Sequence, residues 1–208
     1  HLRDKVLQSN LKLLPARLGP SNTWTYIFSI YRPRISYSAP VCNISRTTWQ
    51  SIQRPILTTF LHNLGFPRSF PLAVVYGPTS QGGLGLVDGY TEQGTAHVLF
   101  LVHHLCAATA VGEMFAILLN WSQRVSGYDQ PLLANPTLPV DHIPSPWLAT
   151  TMSYLSASDC HITRPQPNQA RLQRFYDRAL TADAISLPPS TRRAINRCRL
   201  FLKVETLA

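Results

Sequence analysis

The stretch Ser45-Arg46-Thr47-Thr48-Trp49-Gln50-Ser51-Ile52-Gln53-Arg54-Pro55-Ile56-Leu57-Thr58-Thr59-Phe60-Leu61-His62-Asn63-Leu64-Gly65 decides the fold. Trp49, Ile52, Ile56, Leu57, Phe60, Leu61 and Leu64 recur at the spacing of a helix with one apolar face. Ser45 offers an N-cap hydroxyl, and Gly65 stands where a left-handed residue closes a helix. Pro55 inside the stripe predicts a kink, because its ring lacks an N–H and crowds the preceding turn.

Working toward the N-terminus, Leu2, Val6, Leu7, Leu11 and Leu14 predict a basic amphipathic helix over 2–14, ended by Pro15. After Gly19-Pro20, Ser21 or Asn22 caps a second helix with Trp24, Ile27, Phe28 and Tyr31 on one face. Pro33 bends or ends it, and Ile35 to Val41 continues as a short helical piece. On these stripes Tyr31 and Trp49 are core residues, while Arg32, Arg34 and Arg54 face outward.

Working toward the C-terminus, Phe70 to Tyr76 is rich in Val and aromatics, predicting a short strand that enters the Gly77-Pro78 and Gly82-Gly83-Leu84-Gly85 turns. Two helices follow as a packed hairpin. The first carries Ala96, Leu99, Phe100, His103 and Ala107 on one side, and the second Val111, Phe115, Leu118, Leu119 and Trp121. Tyr128 to Pro146 holds Pro131, Pro136, Pro139, Pro144 and Pro146, and reads as an extended connector. Helices are then expected over Trp147 to Leu155, over Ala170 to Leu180 with Arg171, Arg174 and Arg178, and after Pro188-Pro189-Ser190. In the last, Arg192, Arg193, Arg197 and Arg199 surround Ile195, Cys198 and Leu200 to Leu202. The expected fold is mostly α: a helical bundle with a short strand and glycine-turn insertion near 70–86. Its expected domains are a helical one over 1–127, a Pro-rich connector over 128–146 and a smaller basic helical segment over 147–208.

A chain of 208 residues with 45% apolar content can bury one real core or two small ones. Its longest apolar run, Val98 to Val102, is far short of the roughly 20 residues of a membrane span. Leu2 to Leu14 is charged and lacks an apolar leader, so an intracellular protein of cytoplasm or nucleus, without a membrane partner, is expected. The abrupt His1 and Ala208 ends read as those of a fragment. Cys42, Cys106, Cys160 and Cys198 lie far apart and are expected as reduced, buried thiols.

The net charge of +9 is unevenly spread, with +7 over residues 1–64, −4 over 65–163 and +6 over 164–208. Sixteen of the nineteen cations are Arg, whose planar fork grips phosphate and stacks on bases, so nucleic acid is the favoured partner. The opposing explanation is a basic surface that serves only solubility. Catalytic signatures are missing. Two-metal phosphoryl transfer needs convergent carboxylates, and the ten acids never occur as Asp-Asp, Asp-x-Asp or Glu-x-Asp. Gly82-Gly83-Leu84-Gly85 lacks the Lys-Ser/Thr of a P-loop and reads as turn geometry. His103 and His104 point to different faces of a helix, so with His97 and Cys106 they do not close a metal site. Asp88 and Glu92 read as chemistry of a helix start, not as acids of a reaction.

Tyr31-Arg32-Pro33-Arg34-Ile35-Ser36-Tyr37-Ser38-Ala39-Pro40, Ile52-Gln53-Arg54-Pro55, Ala73-Val74-Val75-Tyr76-Gly77-Pro78, Gly82 to Leu86, Glu92-Gln93-Gly94 and Ile195 to Leu202 together resemble a known family segment. It is the region after the palm in reverse transcriptase open reading frames of non-LTR-like retroelements, of the kind found in protist genomes such as those of diatoms. The resemblance implies a helical thumb or connection region that helps hold template and primer within a longer polymerase that uses Mg. It lacks the Tyr-x-Asp-Asp palm motif, so this chain is not expected to catalyse polymerisation itself, nor to hold a cofactor. The expected partners are RNA or an RNA–DNA hybrid and the rest of the reverse transcriptase chain. The expected binding residues are Arg32, Arg34, Arg46, Arg54, Arg192, Arg193 and Arg197 on phosphates, with Tyr37 stacking on sugar or base. The competing expectation is a structural or protein-interaction module of a decayed mobile element.

Overall fold

The computed structural model describes residues 2–16, 18–107, 109–128, 130–139, 141, 143–163, 178–179, 181–204 and 206–207. These are mostly helical, as expected. The chain divides into two compact units, His1–His97 and Val98–Ala208.

In the first unit, helix α1 (Leu2–Ala16) packs along α4 (Arg46–Asn63). α1 runs past Pro15 to end at Ala16. Between them α2 (Pro20–Tyr26), a π turn (Ile27–Tyr31) and α3 (Arg32–Ser38) follow without leaving helical backbone. Thr23, Ile27, Tyr31, Ile35 and Ala39 are all buried, a strict repeat of four. In an α-helix of 3.6 residues per turn such a repeat drifts by about 40° at every step. The wider i→i+5 turn rotates less per residue and brings the stripe back onto the core. The same turn contains Ser29, whose carbonyl an α-helical Pro33 would strike, so the proline is accommodated without ending the helix.

α4 begins at Ser45, whose Oγ accepts from Thr48 N–H at 3.2 Å, and Gly65 follows its end at φ +83°. One helix continues through Pro55, with Trp49, Ile52, Ile56, Phe60 and Leu61 buried. The expected strand at 70–76 is instead α5 (Leu72–Tyr76). The chain doubles back on this helix and so recruits no partner strand: Leu84 and Leu86 N–H donate to the Val74 and Val75 carbonyls at 2.8 and 3.1 Å, closing the glycine turns on α5 itself.

α6 (Gly89–Cys106) starts in the first unit and ends in the second. The second unit adds α7 (Ala110–Ser126), α8 (Pro146–Ala157) and α9 (Pro189–Leu202). Leu101, Leu119, Leu133, Leu148 and Leu155 form one core cluster, and Tyr128, Leu132, Leu138 and Met152 a second. Leu132, Leu133 and Leu138 belong to the Pro-rich stretch, which therefore folds into the second unit's core and does not stand between units. Arg178 and Ala179 (β1) pair antiparallel with Leu207 and Thr206 (β2). Arg178 is thus in a strand, while the rest of the helix expected over 170–180, with Arg171 and Arg174, lies outside the described residues apart from Ala179.

Three helix faces differ from expectation. On α6 the buried side is Tyr90, Gln93, Gly94, His97 and Leu101, while Leu99 is exposed. On α7 it is Gly112, Leu119, Ser122, Gln123 and Ser126, while Val111 and Trp121 are exposed. On α9 only Asn196 and Arg199 are buried, and Cys198, Leu200, Phe201 and Leu202 face outward. In each case polar side chains occupy the inner face because they satisfy buried backbone groups, which hydropathy spacing does not register.

Candidate nucleic-acid interface

Tyr37 is the most exposed aromatic residue described, at 93%, and sits one helical turn from Arg34 on α3. Their i, i+3 spacing puts both on one side of the helix. Arg34 is exposed and steadied by a 2.9 Å hydrogen bond from Nη1 to Ser9 Oγ on α1. Arg46 is also exposed, its Cζ 5.8 Å from the Tyr90 ring centroid, within cation–π range. Arg54 lies on the outer face of α4, away from the buried Trp49, Ile52 and Ile56. No hydrogen bond or ring contact among the described residues joins Arg46 or Arg54 to the Arg34–Tyr37 pair. These cations lie on two helices, Arg34 on α3 and Arg46 and Arg54 on α4.

Arg32 belongs elsewhere. It lines an apolar pocket with Ile27, Phe28, Ile56, Leu57 and Glu92. Tyr31, as expected, is core: its ring meets Phe60 edge-on at 5.2 Å. Its hydroxyl is buried without a hydrogen-bond partner, and burial pushes its pKa up. Gln53 stands near that hydroxyl, but its carboxamide is committed to Gly89 N–H at 2.8 Å and the Val87 carbonyl at 3.2 Å. Tyr76, on the same pocket, is pushed up to about 12, first by burial and then by the charge of Asp88.

Asp88 Oδ2 accepts from Thr91 N–H at 3.1 Å and from the Thr91 hydroxyl at 3.0 Å, so it caps the start of α6, as its sequence position predicts. Glu92 accepts from the Ser36 hydroxyl. Behind them Trp49, fully buried, donates its indole N–H to Gln93 Oε1 at 2.9 Å. Gln93 also holds both backbone groups of Ile44, at 3.1 and 3.0 Å. His97 donates from Nε2 to the Cys42 carbonyl at 2.8 Å, and burial lowers its pKa. Gln53 and Gln93 are positioning residues that sequence reasoning misses. Their signal is a polar residue sitting on an apolar stripe, Gln53 beside Ile52 and Gln93 between Tyr90 and His97.

At the C-terminal end, Arg193 and Arg197 are exposed four residues apart on α9, one above the other. Arg192 is spoken for. It pairs with Asp141 and donates to the Leu187 carbonyl at 2.7 Å, so it ties the loop to the helix and its fork is not presented to solvent. Arg199, 3% exposed, donates to the Arg124 and Val125 carbonyls at 2.7 and 2.6 Å and caps the end of α7.

Among the described residues no three His, Cys, Asp or Glu side chains are grouped to hold a metal ion. Cys106, Cys160 and Cys198 are exposed and Cys42 half-buried, correcting the expectation of buried thiols. No single described helix is long and apolar enough to cross a membrane. Compared with protein-family models, curated proteins and solved structures, the chain matches none.

Proposed function

We propose that this chain is an accessory nucleic-acid-binding segment of a retroelement reverse transcriptase, holding template and primer without a catalytic site of its own. The observation that carries the reading is Tyr37, left 93% exposed one turn from Arg34. Folding gains almost nothing from that ring, whereas a base stacked on it gains about 1–3 kcal/mol. Arg34, Arg46, Arg54, Arg193 and Arg197 are exposed for phosphate contact. Arg32 and Arg192 have other surroundings, at the pocket and with Asp141. The partners under this reading are RNA or an RNA–DNA hybrid and the rest of the polymerase chain, inside the cell.

Binding of a labelled RNA–DNA hybrid across a salt series tests it. Affinity should fall linearly on a log-log plot, with a slope of several units for several phosphates neutralised. A flat plot, or no binding at low salt, removes nucleic acid from the reading. A second reading, a protein-interaction module, is favoured by one observation: Val111, Met114, Ile117 and Trp121 are exposed at helical spacing along α7. Self-association or polymerase binding that survives high salt, with no hybrid bound, would support that alternative.

A further inference from the structure

Helix α7 of the second unit turns Leu119, Ser122, Gln123 and Ser126 inward and leaves Ala110, Met114, Ile117, Trp121 and Arg124 exposed. The exposed positions alternate in steps of four and three, the interval of a seam between two helices. Met114 and Ile117 are each 69% exposed and Trp121 57%. With Val111 beside them they present on the order of 400 Å² of contiguous apolar surface, as much as a whole monomer usually shows in its largest patch. Burial within their own unit does not account for such a row.

The charges at its two ends select what covers it. Glu113 is exposed in the first turn of α7 and Arg124 in the last, and the interval between them is about three full turns, so both stand on one flank of the row. A face that is acidic at one end, apolar in the middle and basic at the other is complementary to itself turned end for end, as a two-fold interface requires. With the two-fold near residue 118 the helices lie antiparallel. Met114 then faces the partner's Trp121, a thioether against an indole, and Glu113 comes level with the partner's Arg124 to within one turn. The Arg124 guanidinium has five N–H donors, enough to take that carboxylate in addition to its contacts within its own chain. Parallel packing would instead set Glu113 on Glu113 and Arg124 on Arg124.

We infer that α7 is the seam of a symmetric dimer, covered by a second copy of this chain packed antiparallel. The apolar row is about half of the roughly 800 Å² per partner of a standard interface, so the dimer is weak and depends on concentration. The inference goes beyond the nucleic-acid reading and does not rest on it. Its assay contains no nucleic acid, so failure of one leaves the other standing.

Sedimentation of the intact chain, from about 5 μM to about 0.5 mM at about 0.15 M salt, is the measurement. The weight-average mass should rise from 23.3 kDa toward twice that. Ile117→Glu, at an exposed position beside the axis, should keep the chain monomeric throughout, with the parent's circular dichroism and melting temperature. Glu113→Arg should weaken the dimer about tenfold, since it turns two attractions into two repulsions. Mixing that variant with Arg124→Glu should recover the parent's association, because each copy then meets its opposite. The inference is overturned if the mass stays at that of one chain over the whole range, in which case a different protein covers the face. It is equally overturned if Ile117→Glu associates as the parent does, which places the contact elsewhere, or if Glu113→Arg does, which rules out antiparallel pairing. Met114→Glu stands in where Ile117→Glu does not fold.

Discussion

Tyr31 shows how a single side chain couples packing to chemistry in this molecule. Its ring is held by Phe60, yet its hydroxyl finds no partner in a place where an unmet polar group costs about 1–3 kcal/mol. Tyr31→Phe keeps the ring and removes the penalty, so urea denaturation should show stability unchanged or raised by up to that amount. A loss above about 1 kcal/mol would mean that the hydroxyl is bonded after all. His97 makes a different test. It is fully buried, and burial favours the neutral ring, so its folded pKa lies below the ordinary value of 6.5. Above that value neither state carries the proton and the contribution is constant. As pH falls through it, the unfolded chain takes up a proton that the folded one refuses, and stability drops until the folded pKa is reached. Melting temperature should therefore decline as pH falls below about 7, and His97→Gln should flatten that decline. An identical pH profile in the variant would place the titrating group elsewhere.

At the scale of elements, the glycine turns after α5 are a case where two neighbouring glycines have unlike reasons to exist. A Cβ on Gly83 would lie 2.2 Å from the Gly77 carbonyl oxygen, backbone against backbone, with nothing able to yield. Gly82 has open space around it and needs only its φ of +81°. Gly82→Ala should cost about 1–2 kcal/mol, the left-handed penalty alone, and Gly83→Ala about 4 kcal/mol or more, since the turn must come apart. Equal costs, read from melts of the two variants, would show that the close approach does not hold in solution. These turns are legible in the sequence, and with them the helices, because periodicity and caps such as Ser45 and Gly65 are local signals. Orientation is less legible. Gln93, His97, Gln123, Asn196 and Arg199 are all buried. Asn196 accepts from Arg199 on its own helix, and the other four meet polar groups brought from other segments, as Gln123 meets Leu132 N–H and the Gln130 carbonyl. Hydropathy assigns such residues to solvent, and so turns the wrong faces of α6, α7 and α9 inward. The π turn does leave a trace, the repeat of four from Thr23 to Ala39, which a straight α-helix cannot keep on one face.

For the whole molecule, the basic charge divides into cations that hold the fold and cations that do not. Arg199 and Arg192 are of the first kind, closing α7 and the loop before α9. Arg34 touches Ser9 only at its tip, and Arg193 and Arg197 stand in solvent. The candidate site is thus legible as residue types but not as partners: nothing local distinguishes Arg192, paired with Asp141, from Arg193 beside it. The distinction predicts opposite behaviour in two sets of variants. Arg193→Gln with Arg197→Gln should leave the melting temperature within a few degrees, as exposed changes of about 0.5 kcal/mol or less do. It should also lower the salt slope for single-stranded RNA by about 0.7 for each phosphate no longer neutralised. Tyr37→Ala should be equally silent in stability and leave the salt slope unchanged, because it removes stacking and no charge; it should weaken binding by about 1–3 kcal/mol. Arg199→Met, by contrast, strips the Arg124 and Val125 carbonyls at the end of α7 of their buried donor and should unfold the second unit at lower denaturant. If Tyr37→Ala and the α9 pair both bind RNA as the parent does, the exposed Arg and Tyr side chains serve solubility, and the apolar stripe of α7 becomes the surface to pursue.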